Sequence, residues 1–79
     1  MPAVTVYTRP MCGYCATITQ ELAQRGIAFE AVDIWADRSQ AEVVREANDG
    51  DELVPTVRVG TRFFANPSIE ELLAVIGRR

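Results

Sequence analysis

Histidine and lysine are both missing from these 79 residues, cysteine occurs only twice and tryptophan once. With no histidine and no second cysteine pair, the chain does not hold the four ligands that a zinc site ordinarily needs. All eight basic residues are arginine, which reads as genome composition and says little about function. Positive charge is in deficit, the net charge being −3, so no basic surface is expected for nucleic acid or anionic lipid. No apolar run approaches the length of a membrane span. The start, Met1-Pro2-Ala3-Val4-Thr5, has neither the charged region nor the long apolar stretch of a secretory signal. A cytoplasmic location is therefore expected, where thiols are kept reduced.

What is present suits one small folded domain over residues 1–79. Nearly half the residues are apolar (48%), enough for a core and against disorder. No repeat, low-complexity tract or linker divides the chain.

The two cysteines stand three positions apart, in Arg9-Pro10-Met11-Cys12-Gly13-Tyr14-Cys15. Val4-Thr5-Val6-Tyr7 before them reads as a strand. A helix is expected from Gly13 to Arg25, with Cys15, Ile18, Leu22 and Ala23 towards the core, a Glu21–Arg25 pair, and Gly26 ending it. A Cys-x-x-Cys pair delivered by a strand to a helix N-terminus is a redox arrangement. Unpaired N–H groups and the positive end of the helix dipole favour the thiolate of Cys12, which is the reactive form. Arg9 adds a cation nearby, or is simply solvated. A stabilised thiolate is also a good leaving group, so Cys12 can attack a disulfide and later be released. Cys15, one turn on and on the apolar face, is expected to be less exposed and to act second. Gly13 leaves an N–H available and the site looser.

Two other readings of the pair remain. A structural disulfide closing so short a loop is worth only about 2 kcal/mol in the chain-entropy account and joins nothing that one helical turn does not already join. A metal or iron–sulfur cluster held between two chains is the other.

Beyond Gly26, Ile27–Ile34 reads as an interior second strand with apolar residues on both faces, Phe29 and Ala31 on one and Val32 and Ile34 on the other. Strand, helix, strand at this spacing predicts a parallel pair. Asp37-x-x-Gln40 resembles a capping box opening a helix to about Ala47, with Trp35 before it expected to pack. An exposed Trp35 contacting a partner is the alternative. Asn48–Glu52 reads as a turn and a solvated acidic loop. Leu53–Val59 alternates after Pro55, which stands at the head of a strand. Gly60-Thr61 is a hairpin turn into Arg62–Ala65, with Phe63 and Phe64 on opposite faces. Ser68-x-x-Glu71 is a capping box for a last helix ending at Gly77, with Arg78 and Arg79 near its negative end. The order is β-α-β-α-β-β-α, an α/β chain with a four-stranded mixed sheet in the order second, first, third, fourth and helices on both faces.

Three motifs in this order, Cys12-Gly13-Tyr14-Cys15, Val54-Pro55-Thr56-Val57 and Asn66-Pro67-Ser68, resemble a glutaredoxin-type member of the thioredoxin superfamily, and most of all the mycoredoxins. The resemblance runs over essentially the whole chain. It implies a thioredoxin-like fold and a thiol–disulfide oxidoreductase with Cys12 and Cys15 as catalytic residues. It implies a cis Val54-Pro55 bond facing the nucleophile, and a Val54 backbone that pairs with the cysteinyl part of a bound thiol. Arg9, Gly13, Tyr14 and the start of the last helix (Asn66, Pro67, Ser68) then line the rest of the site.

Departures narrow this further. Met11 stands where thioredoxins carry tryptophan. Ala65-Asn66-Pro67-Ser68 replaces the Gly-Gly pair of glutathione-using glutaredoxins. The Trp-Ser-Gly-Phe-Arg-Pro run of donors to ribonucleotide reductase is missing. The resemblance thus implies a monomer that reduces protein mixed disulfides, holding no tight cofactor or metal. Mycothiol rather than glutathione is its implied low-molecular-weight thiol. Its rivals are an iron–sulfur glutaredoxin dimer, which Gly13 leaves open, and a dithiol donor to a dedicated reductase such as ribonucleotide reductase.

Overall fold

The computed structural model describes residues 3–77. Met1, Pro2, Arg78 and Arg79, on which the readings of the chain start and of a basic helix end fall, lie outside the described residues. The elements are β1 (Val4–Thr8), α1 (Gly13–Gln24), β2 (Glu30–Asp33), α2 (Arg38–Ala47), β3 (Thr56–Val59), β4 (Arg62–Ala65) and α3 (Ile69–Ile76). They form one mixed sheet in the order β2-β1-β3-β4. β1 runs parallel to β2 and antiparallel to β3, and β3 is antiparallel to β4.

Alternation along the strands sorts side chains to two faces. Val4, Val6, Val57 and Val59 join Ile18 and Leu22 of α1 and Leu72 of α3 in the larger cluster. Tyr7 faces the other way and meets Ile34 with Ala41 and Val44 of α2. Phe64 and Phe63 divide between the two clusters, and the Phe63 ring lies 6.4 Å from that of Tyr7.

Helix ends follow local chemistry. At the end of α1 the Gly26 N–H reaches the Ala23 carbonyl (3.0 Å) and the Ile27 N–H that of Leu22 (3.0 Å), with Gly26 left-handed at φ 69°. That is a Schellman closure, and the side chains of Ile27 and Leu22 are buried in the same cluster. The Glu21–Arg25 pair forms as expected. α3 opens with a full capping box. The Ser68 N–H donates to Glu71 Oε1 at 2.9 Å, and the Glu71 N–H donates to Ser68 Oγ at 3.1 Å.

Five expectations need correction. The second strand begins only at Glu30 and lies at the sheet edge, so Glu30 and Ala31 are exposed. Ile27 is buried nonetheless, from the connection rather than from a strand. Ala23 is exposed, because Leu22 already occupies the buried position of that turn. The cap of α2 is not a reciprocal box: Asp37 accepts from the Ser39 N–H (3.2 Å) and hydroxyl, and Gln40 only through its backbone N–H to the Asp37 carbonyl (3.0 Å). Trp35 does not pack; it is 56% exposed, held outward where the Asp33 carboxylate accepts its N–H at 2.8 Å. Finally, Glu52 is not merely solvated but tied to α2, as described below.

Candidate active site at the head of helix α1

β1 ends at Thr8, and Arg9, Pro10 and Met11 carry the chain from the end of that interior strand to the start of α1. Met11 adopts φ 62°, in the left-handed region, with its side chain wholly exposed. Cys12 is then the N-cap of α1, and its Sγ accepts the Cys15 N–H at 3.2 Å. A sulfur in that position faces the unpaired amides of the first turn, where negative charge is favoured. Cys15, one turn on, is buried at 4% exposure, whereas Cys12 is half-buried. The two are joined in a disulfide with a Cα–Cα separation of 5.3 Å. The structure thus gives the two sulfurs the unequal exposure that the apolar spacing of α1 predicts.

Thr8, Arg9, Met11, Cys12, Gly13, Cys15, Ala16, Thr19 and Ala31 line an open groove of about 710 Å³. It brings together Arg9, Cys12, Gly13 and Cys15 from the expected set. A side chain at Gly13 would meet nothing within 4 Å, so the groove floor is open there. Thr8, Met11, Ala16, Thr19 and Ala31 are lining residues beyond that set. Cys12, Ala16 and Thr19 stand at i, i+4 and i+7, a spacing from which that wall was readable. Ala31, on β2, carries no local signal.

The remaining expected residues lie outside this groove. Tyr7 pairs with Thr56, which places Pro55 beside the end of β1, on the β3 side. The Val54-Pro55 bond is cis, Pro55 is buried and Val54 half-buried. The Asn66 N–H donates to the Pro55 carbonyl at 2.8 Å, tying the segment before α3 to the same corner. Pro67 is buried there, while Asn66 and Ser68 are exposed. Tyr14 is 73% exposed. Cys12 therefore follows a strand end flanked on one side by the groove towards β2 and on the other by the Val54–Pro55 turn.

The loop leading into that turn is pinned by charge. Glu52 forms a two-pronged pair with Arg38, at 3.1 and 2.8 Å, and also pairs with Arg45, which in turn pairs with Glu42. The Arg38 hydrogen bond first, then that of Arg45, holds the Glu52 carboxyl below its ordinary range. A carboxylate whose folded pKa is depressed contributes stability above its unfolded pKa and loses it as pH falls through the folded one. Glu52→Gln is accordingly expected to lower the melting temperature at neutral pH. The difference from wild type should close as pH falls below the ordinary glutamate range, about 4.3. Because the pairs are solvent-accessible, it should also shrink in high salt. A difference that persisted unchanged in acid would show that the charge is not its source.

A strand-delivered cysteine pair capping a helix, beside a cis-proline turn, on a four-stranded mixed sheet flanked by helices, defines a thioredoxin-like thiol–disulfide oxidoreductase. The glutaredoxin family profile matches residues 4–64. A Mycobacterium tuberculosis protein whose name places it among the glutaredoxins is 40% identical over 73 residues, covering 91% of this chain and 87% of that one. Mycoredoxin 1 of Corynebacterium glutamicum is 35% identical over 77 residues, covering 96% and 95%. Among solved structures, a mutant of a thioredoxin-like protein superposes with a TM-score of 0.87 over the whole of both chains at 24% identity. The chain belongs to the glutaredoxin family. Its Cys12–Cys15 pair is redox-active, and the family uses a thiol such as glutathione or mycothiol as co-substrate.

Proposed function

We propose that this chain reduces mixed disulfides between proteins and mycothiol, with Cys12 as nucleophile and Cys15 as resolving thiol. The observation that carries the assignment of roles is the Cys12 sulfur at the α1 N-cap, with Cys15 buried behind it. The Cys12 thiolate attacks the mycothiol sulfur of the mixed disulfide. The protein–mycothiol S–S bond breaks, the protein thiolate leaves and takes a proton from solvent, and a Cys12–mycothiol disulfide remains. In one route a second mycothiol thiolate attacks the bound mycothiol sulfur, releasing mycothiol disulfide and the Cys12 thiolate. In the other, the Cys15 thiolate attacks Cys12 Sγ, releasing reduced mycothiol and closing the Cys12–Cys15 disulfide. Two further thiol equivalents then reopen it.

Two features support mycothiol over glutathione. The relatives include mycoredoxin 1, whose name points to that thiol. Before α3 the chain carries Ala65-Asn66-Pro67-Ser68 in place of the Gly-Gly pair of the glutathione-using members it resembles. A polypeptide client suits the surroundings of Cys12, because Met11, Tyr14 and Trp35, the exposed large apolar side chains among the described residues, stand shortly after the ends of β1 and β2. By this reading the Val54 backbone and the Asn66–Ser68 segment receive the thiol half, Arg9 and Tyr14 flank it, and the chain works as a cytoplasmic monomer. Among the described residues no helix is long and apolar enough to cross a membrane.

The test is one model protein carrying either mycothiol or glutathione on the same cysteine. The mycothiol form should be reduced at least roughly tenfold faster, a difference of about 1.4 kcal/mol in transition-state stabilisation. Equal rates would return the chain to a general glutaredoxin. Inactivity with both, together with colour after anaerobic iron–sulfur reconstitution or reduction by a flavoprotein reductase, would replace the proposal with a cluster carrier or a dedicated donor respectively.

A further inference from the structure

We infer that Thr56, oriented by Asn48, is a positioning residue that aims the Val54 backbone at the thiol half of the substrate. The inference rests on the reading of Val54 given above. Among the described residues, the Val54 N–H and carbonyl make no backbone hydrogen bond, although the residue is half-buried beside the end of β1. A free donor and acceptor in such a place pair with a ligand only if the turn that carries them is held still.

The turn is held by side chains. Thr56 is the one buried polar residue of the described core, at 0% exposure. Its hydroxyl donates to the Leu53 carbonyl at 2.6 Å, closing the four-residue segment Leu53–Thr56 around Val54 and Pro55. A hydroxyl has a single proton, so with that proton spent on Leu53 the oxygen is left as an acceptor. Asn48 supplies the donor it accepts from: Asn48 Nδ2 donates to Thr56 Oγ1 at 3.2 Å and to the Val44 carbonyl near the end of α2 at 2.9 Å. The relay therefore runs from α2 through Asn48 and Thr56 to the carbonyl just ahead of Val54. From the other side the Asn66 N–H holds the Pro55 carbonyl at 2.8 Å.

The strand does not need this relay. Thr56 is already set in the sheet by its backbone register, opposite Tyr7 and Ala65. What the hydroxyl adds is the orientation of the Leu53–Val54 peptide unit, the one that carries the Val54 N–H. No buried side-chain polar atom among the described residues lacks a partner, so the relay is complete as it stands. Removing its centre leaves the Leu53 carbonyl without its donor and Asn48 Nδ2 with the Val44 carbonyl alone.

The experiment compares wild type, Thr56→Val, Thr56→Ser and Asn48→Ala on the mycothiolated model protein, with circular dichroism and thermal melts as the check of folding. Valine keeps the shape and loses the hydroxyl; serine keeps the hydroxyl. Thr56→Val should raise KM about fivefold, the value of one net hydrogen bond. Its kcat and the pH profile of Cys12 alkylation by iodoacetamide should stay at wild-type values. Thr56→Ser should return KM to within about twofold, and Asn48→Ala should fall between, since Thr56 then still bonds Leu53. If Thr56→Val does not fold, the Asn48→Ala and Thr56→Ser pair decides the matter alone. A wild-type KM in folded Thr56→Val, or a Thr56→Ser variant as impaired as Thr56→Val, overturns the inference while leaving the substrate reading intact. A wild-type protein that turns over neither mixed disulfide overturns both.

Discussion

Cys12→Ser is expected to remove turnover of mixed disulfides to on the order of a thousandth of wild type or below, as loss of an attacking nucleophile does elsewhere. The reason is chemical. A serine hydroxyl remains protonated where the Cys12 sulfur is offered the amides of the α1 N-terminus, including the Cys15 N–H at 3.2 Å. It also cannot form the covalent disulfide through which the exchange passes. Cys15→Ser separates the two routes of release. Because Cys15 is buried, it is not placed to take over the first attack, and the variant should keep turning over when mycothiol is supplied in excess. It should also accumulate a Cys12–mycothiol adduct visible by mass spectrometry. Steady-state rates for the two variants on a mycothiolated client check this. Full activity in Cys12→Ser, or an adduct mapped to Cys15 in place of Cys12, would sink the assignment of roles.

The second large effect is on stability. Leu22→Ala is expected to cost about 2–5 kcal/mol, the usual range for emptying a fully buried leucine site. Leu22 is 0% exposed, lies in the larger core cluster and is the buried partner of Ile27 in the closure of α1. A domain of this size holds only about 4–12 kcal/mol in total, so the variant should melt roughly 10–30 °C lower. Leu73→Ala, on the half-buried flank of α3, should cost distinctly less. Urea denaturation of the two variants measures the contrast. A Leu22→Ala loss under about 1 kcal/mol would mean that the site collapses around the gap. The effect reaches the site as well, because the helix that Leu22 anchors is the one that Cys12 caps.

Most of the fold was legible because its signals are local. β1 and the Gly60-Thr61 hairpin follow from β-branched and aromatic alternation. The ends of α1 and α3 follow from Gly26, the Ser68–Glu71 box and Gly77, each set by groups within a few residues of one another. The cysteine pair and its unequal burial follow from the same short-range geometry. β2 is shorter than its apolar pattern, and an edge, for a different reason. Ile27, Phe29, Val32 and Ile34 carry apolar character that does not say whether a residue is buried from a strand or from the connection before it. Trp35, standing just before a helix cap, reads as a packing residue, whereas here its backbone N–H is bound by the Asp33 carboxylate and its side chain is exposed. Glu52 lies 14 residues from Arg38 and seven from Arg45, beyond the end of the helix that carries both, so its pairing had no i, i+3 or i, i+4 signature.

The order of elements, the reactive cysteine at a helix start and the closures of the helices were determined by the sequence alone, because each depends on interactions spanning about one turn or one hairpin. Only the tertiary structure decided that β2 is an edge, that the groove beside Cys12 opens towards Ala31, and that Asn48 and Thr56 hold the Val54 turn. These depend on which distant segments meet once two faces of one sheet are buried, and such encounters leave no periodic trace in the chain.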